Sequence, residues 1–331
     1  MRLILRLFPI VALSVIAAVL WADSRPRGAG DSRTMSPIAA IARADSARLP
    51  KGSDLIAGCR SRLLAKSSVI AQVRQRIQLF DRQLFGSGIY LQQGGGPRPQ
   101  FRFELDFQLE NGSRTMVQCS DGRTLWLLEK NASGAALRKI DLDRLALAIQ
   151  RFRPEIENSE DRPTTDRQHD VAHGGLLRLI EDLRTNFQFQ TIGQADIAGV
   201  EVWVVQGTWR EDRLQRLALQ ADEEGKWKQR DPAELGSHVP DDVLVYLDRD
   251  ELFPYRIQYR RLERVADDSP PQPRSLVEME LFQVRFGASI EPVQFAKPVD
   301  MEADDHTEPF AKRLASEHEP ATEKRGAAEI E

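Results

Sequence analysis

Strict alternation between apolar and polar residues marks the stretch FRFELDFQLE at residues 101–110. Large apolar side chains occupy its odd positions, and Arg, Glu, Asp and Gln occupy its even ones. Because successive side chains of a β-strand point to opposite faces of the sheet, this pattern predicts a strand with one buried and one solvated face. A sheet with one solvated face is typically antiparallel. The stretch therefore predicts an antiparallel sheet whose buried face carries a row of phenylalanines.

Two turn signals that follow this strand extend the sheet. Asn111-Gly112 and Asp121-Gly122 predict tight turns, so that strands at 115–119 and 124–129 continue a meander. Further strands are predicted at 187–193, 200–210, 214–219, 243–248, 255–263 and 274–286. The apolar phase of the last strand shifts near Leu281, which predicts a β-bulge.

Apolar residues recurring every three or four positions predict three helices, at 53–80, 141–152 and 174–185. The first is expected to begin with Ser53 or Asp54 as its N-cap. Together the segments predict one α+β domain over 53–301, in which a large antiparallel sheet curls and helices pack on its concave face.

The two ends of the chain differ from this domain in composition. Residues 1–22 place Arg2 and Arg6 before an apolar run, as in a secretory signal, and that run is shorter than the roughly 20 residues of a membrane span. We expect export, with either a cleaved signal peptide or a retained N-terminal anchor that associates with a membrane. Residues 23–52 are typical of a flexible linker, and the charge-dense residues 302–331 are typical of a disordered tail.

Composition and motifs argue against several classes of protein. The 331 residues are 41% hydrophobic and 29% charged, with a formal net charge of -4, which is typical of a globular protein rather than a fibrous, wholly disordered or polytopic membrane protein. The acidic balance disfavours nucleic acid as a partner. Because the sequence has no G-x-S-x-G elbow, Walker A loop or dinucleotide-binding fingerprint, we predict no catalytic residue and no cofactor.

Two cysteines and two histidines are the remaining candidates for special chemistry. Cys59 on the first helix and Cys119 on a strand both lie on apolar faces. The sequence therefore allows either a disulfide between them or two buried free thiols. His169 and His173 have the i, i+4 spacing of zinc-binding helices, but they stand at a loop-to-helix junction and no third ligand accompanies them. They are weak metal candidates, and no metal site is predicted.

Short motifs that follow one another between Cys59 and Asp300 resemble the LolA-like outer-membrane lipoprotein carrier superfamily, with this chain as a divergent member. The motifs are GSGIY at 86–90, VQCSDGRTLW at 117–126, VYLD at 245–248, LFPYR at 252–256 and FAKP at 295–298. The resemblance implies a half-barrel of antiparallel strands closed by helices. It also implies an apolar cavity that shelters an acyl chain in the periplasm.

Two functions from different classes are therefore expected. The first is a non-enzymatic exported protein of the periplasm or envelope that binds a lipid acyl chain or a lipoprotein in the half-barrel cavity. The candidate cavity side chains are Phe101, Phe103, Leu105, Phe107, Leu125 and Trp203. The alternative is an exported structural or protein-interaction domain in which the same side chains form a filled core. A zinc-dependent hydrolase that uses His169 and His173 is a distant third.

Overall fold

A single twelve-stranded sheet dominates the described part of the protein. The computed structural model describes residues 35, 41, 49–79, 82–96, 98–109, 112–152, 174–221, 227–229, 235–263 and 271–317. The strands are β1 (Ser68–Leu79), β2 (Arg82–Gln93), β3 (Gln100–Leu109), β4 (Gly112–Ser120), β5 (Thr124–Asn131), β6 (Gly134–Asp141), β7 (Phe187–Ile197), β8 (Val200–Trp209), β9 (Leu219–Ala221), β10 (Trp227–Gln229), β11 (Asp242–Asp248), β12 (Pro254–Glu263), β13 (Gln272–Phe286) and β14 (Asp304–Asp305). The helices are α1 (Gly52–Ala65), α2 (Leu142–Phe152), α3 (Gly175–Asn186), α4 (Glu211–Ala218) and α5 (Thr307–Glu317).

The order of the strands across the large sheet is β14-β6-β5-β4-β3-β2-β1-β13-β12-β11-β8-β7. Neighbouring strands are antiparallel, except that β14 runs parallel to β6. Strands β9 and β10 form a separate two-stranded sheet. The predicted antiparallel α+β fold is confirmed.

The path of helix α3 shows how strongly the sheet curls. Its first residue lies against Phe101 of β3, and its last residue, Asn186, leads directly into β7. Strands β3 and β7 are seven steps apart in the sheet, or roughly 34 Å if the sheet were flat. A helix of 12 residues is only about 18 Å long. The sheet therefore bends into a half-barrel, and α3 spans its concave side.

The two faces of the sheet differ in character. The concave face joins α1, α2, α3 and α5 in one continuous apolar core. The opposite, convex face carries a charged network between neighbouring strands: Arg256 contacts Glu278 and Glu280 at 3.3 Å each, and Arg76 pairs with Glu278. This network lies across β1, β13 and β12.

The helix predicted over 53–80 is wrong in its second half. Helix α1 begins at Gly52 after Lys51, without a side-chain cap, and ends at Ala65, and residues 68–79 form β1. The spacing of Ile70, Val73 and Ile77 suits a helix, whereas Val69, Ala71, Val73 and Ile77 share the buried concave face of a strand and Ile70 lies on the other face. Pairing with β13 favours the strand over the helix, because it brings the arginines of β1 next to the glutamates of β13.

Other sequence predictions differ in detail. The strand predicted at 214–219 is helix α4 over most of its length, and β2 and β6 were not anticipated. The bulge expected near Leu281 is present two residues further on: Ile70 pairs with Arg285 and Gln72 with Phe282, and Gln283 has a φ of 51°.

The disordered tail expected from residue 302 is wrong for its first part. Strand β14 pairs with β6, and α5 buries Phe310, Ala311 and Leu314 in the main core beside α2. Three apolar side chains on one helical face were enough to override the high local charge. Residues 318–331, like the leader at 1–22 and the charged loop at 153–173, lie outside the described residues.

Candidate functional site

The phenylalanine row of β3 lies at the centre of the concave face. Phe101, Phe103, Leu105 and Phe107 are at most 6% exposed and belong to the main apolar core. Leu125 lies on the same face through its pairing with Ser120, which in turn pairs with Phe101. Trp203 is half-buried at the margin of this core, where Arg249 stacks on its ring at 5.0 Å. The structure thus brings all six candidate cavity residues to one apolar surface.

Helices α1 and α3 cover this surface. They pack on each other, and α3 touches both β3 and β7. The start of α3 approaches the sheet closely, because a Cβ added to Gly174 or Gly175 would lie 2.4 or 2.9 Å from the ring of Phe101. Gly175 also has a φ of 62°, a left-handed conformation that favours glycine. The entry of the chain into α3 therefore requires glycine both for its backbone and for its contact.

A buried chain of hydrogen bonds ties both covering helices to strand β2. The Tyr90 hydroxyl donates to Gln92 Oε1 at 2.7 Å, and Gln92 Nε2 donates to the carbonyl oxygen of Leu63 in α1 at 2.9 Å. The backbone N–H of Leu176 in α3 donates to the same Tyr90 hydroxyl. Burial raises the pKa of Tyr90 above its ordinary value, so the hydroxyl stays protonated. We call Tyr90 and Gln92, with these partners, the relay.

Helix α3 also carries charge into the interior. Arg178 and Asp182, one turn apart, form an ion pair at 2.7 Å, and both side chains are nine-tenths buried. Burial raises the pKa of Tyr259 on β12, and the Asp182 carboxylate raises it further. The inner surface of the cover is therefore mixed, with apolar side chains surrounding a desolvated ion pair.

The two cysteines are free thiols in the structure. Cys59 belongs to the concave core, whereas Cys119 lies on the convex face, in a cluster with Val117, Leu128 and Leu137. The sheet itself separates the two, which corrects the alternative of a disulfide between them. Burial raises the pKa of the Cys119 thiol to about 11 and that of Cys59 further still.

The metal candidates His169 and His173 lie outside the described residues. Within the described ranges, no three His, Cys, Asp or Glu side chains come together in a group that could hold a metal ion. No helix among the described elements is long and apolar enough to span a bilayer.

The phenylalanine row is visible in the sequence, but the relay is not. Tyr90 lies in the GSGIY motif, yet β2 was not recognised as a strand, so its side chains could not be assigned to a face. The signal in the sequence is that Tyr90 and Gln92 stand at alternate positions, so that both side chains lie on one face if the segment is a strand.

The fold and this surface define an α+β half-barrel whose apolar concave face is covered by helices. No protein-family model matches the chain, and no curated protein matches it. Solved structures with similarity to it include the Pseudomonas aeruginosa MucA/MucB complex, at 12% identity and a TM-score of 0.37 over 74% of this chain and 60% of that one. This chain thus spans less than two thirds of that protein's length.

LolA-superfamily proteins are also among the similar structures, as the sequence resemblance predicts. A LolA superfamily protein from Nitrosomonas europaea has 9% identity and a TM-score of 0.26, over 75% of this chain and 99% of that chain. LprF from Mycobacterium bovis has 10% identity and a TM-score of 0.32 over the same shares. Likeness at this level concerns the general fold and transfers no ligand or activity to this chain.

Proposed function

We propose that this protein is an exported, non-enzymatic binding protein of the periplasm or envelope, and that an acyl chain binds on the concave face when the cover moves away. The observation that carries the proposal is the covered phenylalanine row. A continuous apolar surface on a half-barrel is held under two helices by a small number of polar links. The candidate ligand-binding residues remain Phe101, Phe103, Leu105, Phe107, Leu125 and Trp203.

Energetics favour an exchange between the cover and a ligand. Burying each methylene contributes about 0.8 kcal/mol, so an acyl chain can replace the apolar contacts that a displaced helix gives up. The ion pair of Arg178 and Asp182 adds little to holding the cover closed, because the cost of desolvating two charges offsets much of their attraction. The relay is one of several specific attachments of the cover to the rest of the protein, beside the ion pair of Lys66 with Glu251 and the hydrogen bond from the Gly96 N–H to the Leu64 carbonyl oxygen.

Weakening the relay tests the proposal. Tyr90→Phe keeps the ring in the core but removes the hydroxyl that links Leu176 and Gln92. If the cover must open for binding, this variant binds a fluorescent fatty acid with higher affinity than the wild-type full chain, because opening its cover costs less free energy. The assay is a fluorescence titration of the purified protein.

Tyr246→Phe is the matched control. The Tyr246 hydroxyl donates to Gln258 Oε1 at 3.2 Å on the convex face, away from the cover. Its loss should leave uptake unchanged. Failure of wild type and both variants to bind the probe contradicts the proposal.

A second candidate function is an exported structural or protein-interaction domain with a filled core. It is favoured by the nearly complete burial of the phenylalanine row under the protein's own helices. Under this alternative Tyr90→Phe lowers stability without creating any uptake of lipid.

A further inference from the structure

One transverse row of side chains on the concave face combines apolar and polar groups. It runs from Gln75 on β1 through Gly86 on β2 and Phe107 on β3 to Arg114 on β4, each residue paired with the next. The Phe107 ring lies over Gly86, since a Cβ there would be 2.6 Å from the ring. Gln75 and Arg114 are therefore the polar ends of a row whose middle is aromatic.

Each end carries a buried polar atom without a partner among the described residues. Gln75 is 2% exposed and its Oε1 accepts no hydrogen bond. Arg114 is 4% exposed, and although its Nη2 donates to Glu129 at 3.1 Å, its Nε–H has no acceptor. One end thus lacks a donor and the other lacks an acceptor.

Unsatisfied polar atoms in a protein interior are rare, because the desolvation of each is not offset by a hydrogen bond. Gln92 on the same face has both of its polar groups satisfied, because its Oε1 accepts from Tyr90 and its Nε2 donates to the carbonyl oxygen of Leu63. The unsatisfied acceptor of Gln75 in an apolar interior therefore indicates that a bound ligand supplies the missing hydrogen-bond donor.

A secondary amide has the complementary pair of groups, an N–H donor and a carbonyl acceptor that point in opposite directions. Three strand spacings place the Cα atoms of Gln75 and Arg114 roughly 14 Å apart, and side chains on a concave face converge. An amide that bridges two hydrogen bonds of about 2.9 Å fits between atoms roughly 8 Å apart. An ester of the same length offers only the acceptor.

We propose that Gln75 and Arg114 bind the linkage of the acyl ligand, and that the preferred ligand is an acyl amide. Its N–H donates to Gln75 Oε1, its carbonyl oxygen accepts from Arg114 Nε, and its alkyl chain lies along the phenylalanine row. This inference rests on the proposed function, since the ligand enters only when the cover opens.

Competition between two matched probes tests it. N-methylhexadecanamide and methyl hexadecanoate, which differ only in N–H against O, displace a fluorescent fatty acid from the full chain. Wild type is expected to bind the amide about ten-fold more tightly, the value of one hydrogen bond to an unsatisfied acceptor. Gln75→Met should abolish that preference, and Arg114→Lys should weaken both probes alike.

The outcomes separate this inference from the proposed function. Equal affinity of wild type for both probes, or a preference retained in Gln75→Met, overturns the amide inference and leaves acyl binding in place. Absence of binding by either probe overturns both.

Thermal unfolding without ligand gives an independent readout. Gln75→Met removes an unsatisfied acceptor and should leave the unfolding midpoint unchanged or raise it. Gln92→Met, the matched control, breaks two hydrogen bonds of the relay and should lower the midpoint by about 5 °C or more. A comparable loss in Gln75→Met would show that Gln75 serves the fold itself, which contradicts the proposal.

Discussion

Replacing Gly175 by alanine should shift the cover away from the sheet. Gly175 has a φ of 62°, and its added Cβ would lie 2.9 Å from Cδ2 of the Phe101 ring. The left-handed conformation costs a residue with a Cβ roughly 1–2 kcal/mol. Crowding in a packed core adds about 1–3 kcal/mol. Only the crowding against Phe101 is specific to the closed position of α3.

Gly199→Ala isolates the contact from the backbone strain. Gly199 has a φ of 86° in the turn between β7 and β8, and no atom lies within 4 Å of its added Cβ. The two variants share the left-handed strain and the same change in the unfolded chain. The difference between them therefore measures the crowding against Phe101.

Uptake of a fluorescent fatty acid is the assay. If the closed and open positions are in equilibrium, about 1.4 kcal/mol of crowding in the closed one raises the apparent affinity about ten-fold. Gly199→Ala should bind as wild type does. A Gly175→Ala protein that is less stable than Gly199→Ala and yet binds the probe no more tightly would refute the idea that α3 gates the concave face.

Two further predictions concern the thiols and the C-terminal helix. Because Cys59 and Cys119 are buried and unbonded, a colorimetric thiol reagent should titrate neither in the native protein and both after unfolding without reductant; no thiols after unfolding would reveal a disulfide. The backbone N–H of Thr307, followed by the Thr307 and Arg144 side chains, holds the pKa of Asp305 well below its usual value. A lowered carboxyl pKa stabilises the fold above the unfolded value of about 3.9, and this contribution is lost as the pH falls further. Wild type should therefore exceed Asp305→Asn in thermal stability by a constant margin above about pH 5, and the margin should shrink below pH 4; a margin independent of pH would contradict this assignment.

The sequence predicted those strands whose alternation is regular. The phenylalanine strand is found at Gln100–Leu109, within one residue of its predicted bounds. Strand β1 was missed because Gln75 occupies a buried position and interrupts its apolar alternation. Strand β2 was missed for a similar reason, since its concave face carries Gly86, Gly88, Tyr90 and Gln92 in place of aliphatic residues.

The same polar residues explain why the candidate site was predicted only in part. An aromatic row is visible as a pattern, whereas a hydrogen bond between Gln92 and Leu63 joins a strand to a helix 29 residues away. Gln75 Oε1 is unsatisfied because none of the described side chains around it donates a hydrogen bond. It becomes visible only when the strands are placed side by side.

Native mass spectrometry can show whether the concave face binds an acyl chain. The sample is the full chain, exported to the periplasm of an expression host and purified without added lipid. We expect a fraction of the protein to carry one stoichiometric adduct that releases an acyl-bearing lipid on extraction. A mass equal to the bare polypeptide, together with no later uptake of a fluorescent fatty acid, would contradict it and leave a half-barrel filled by its own helices.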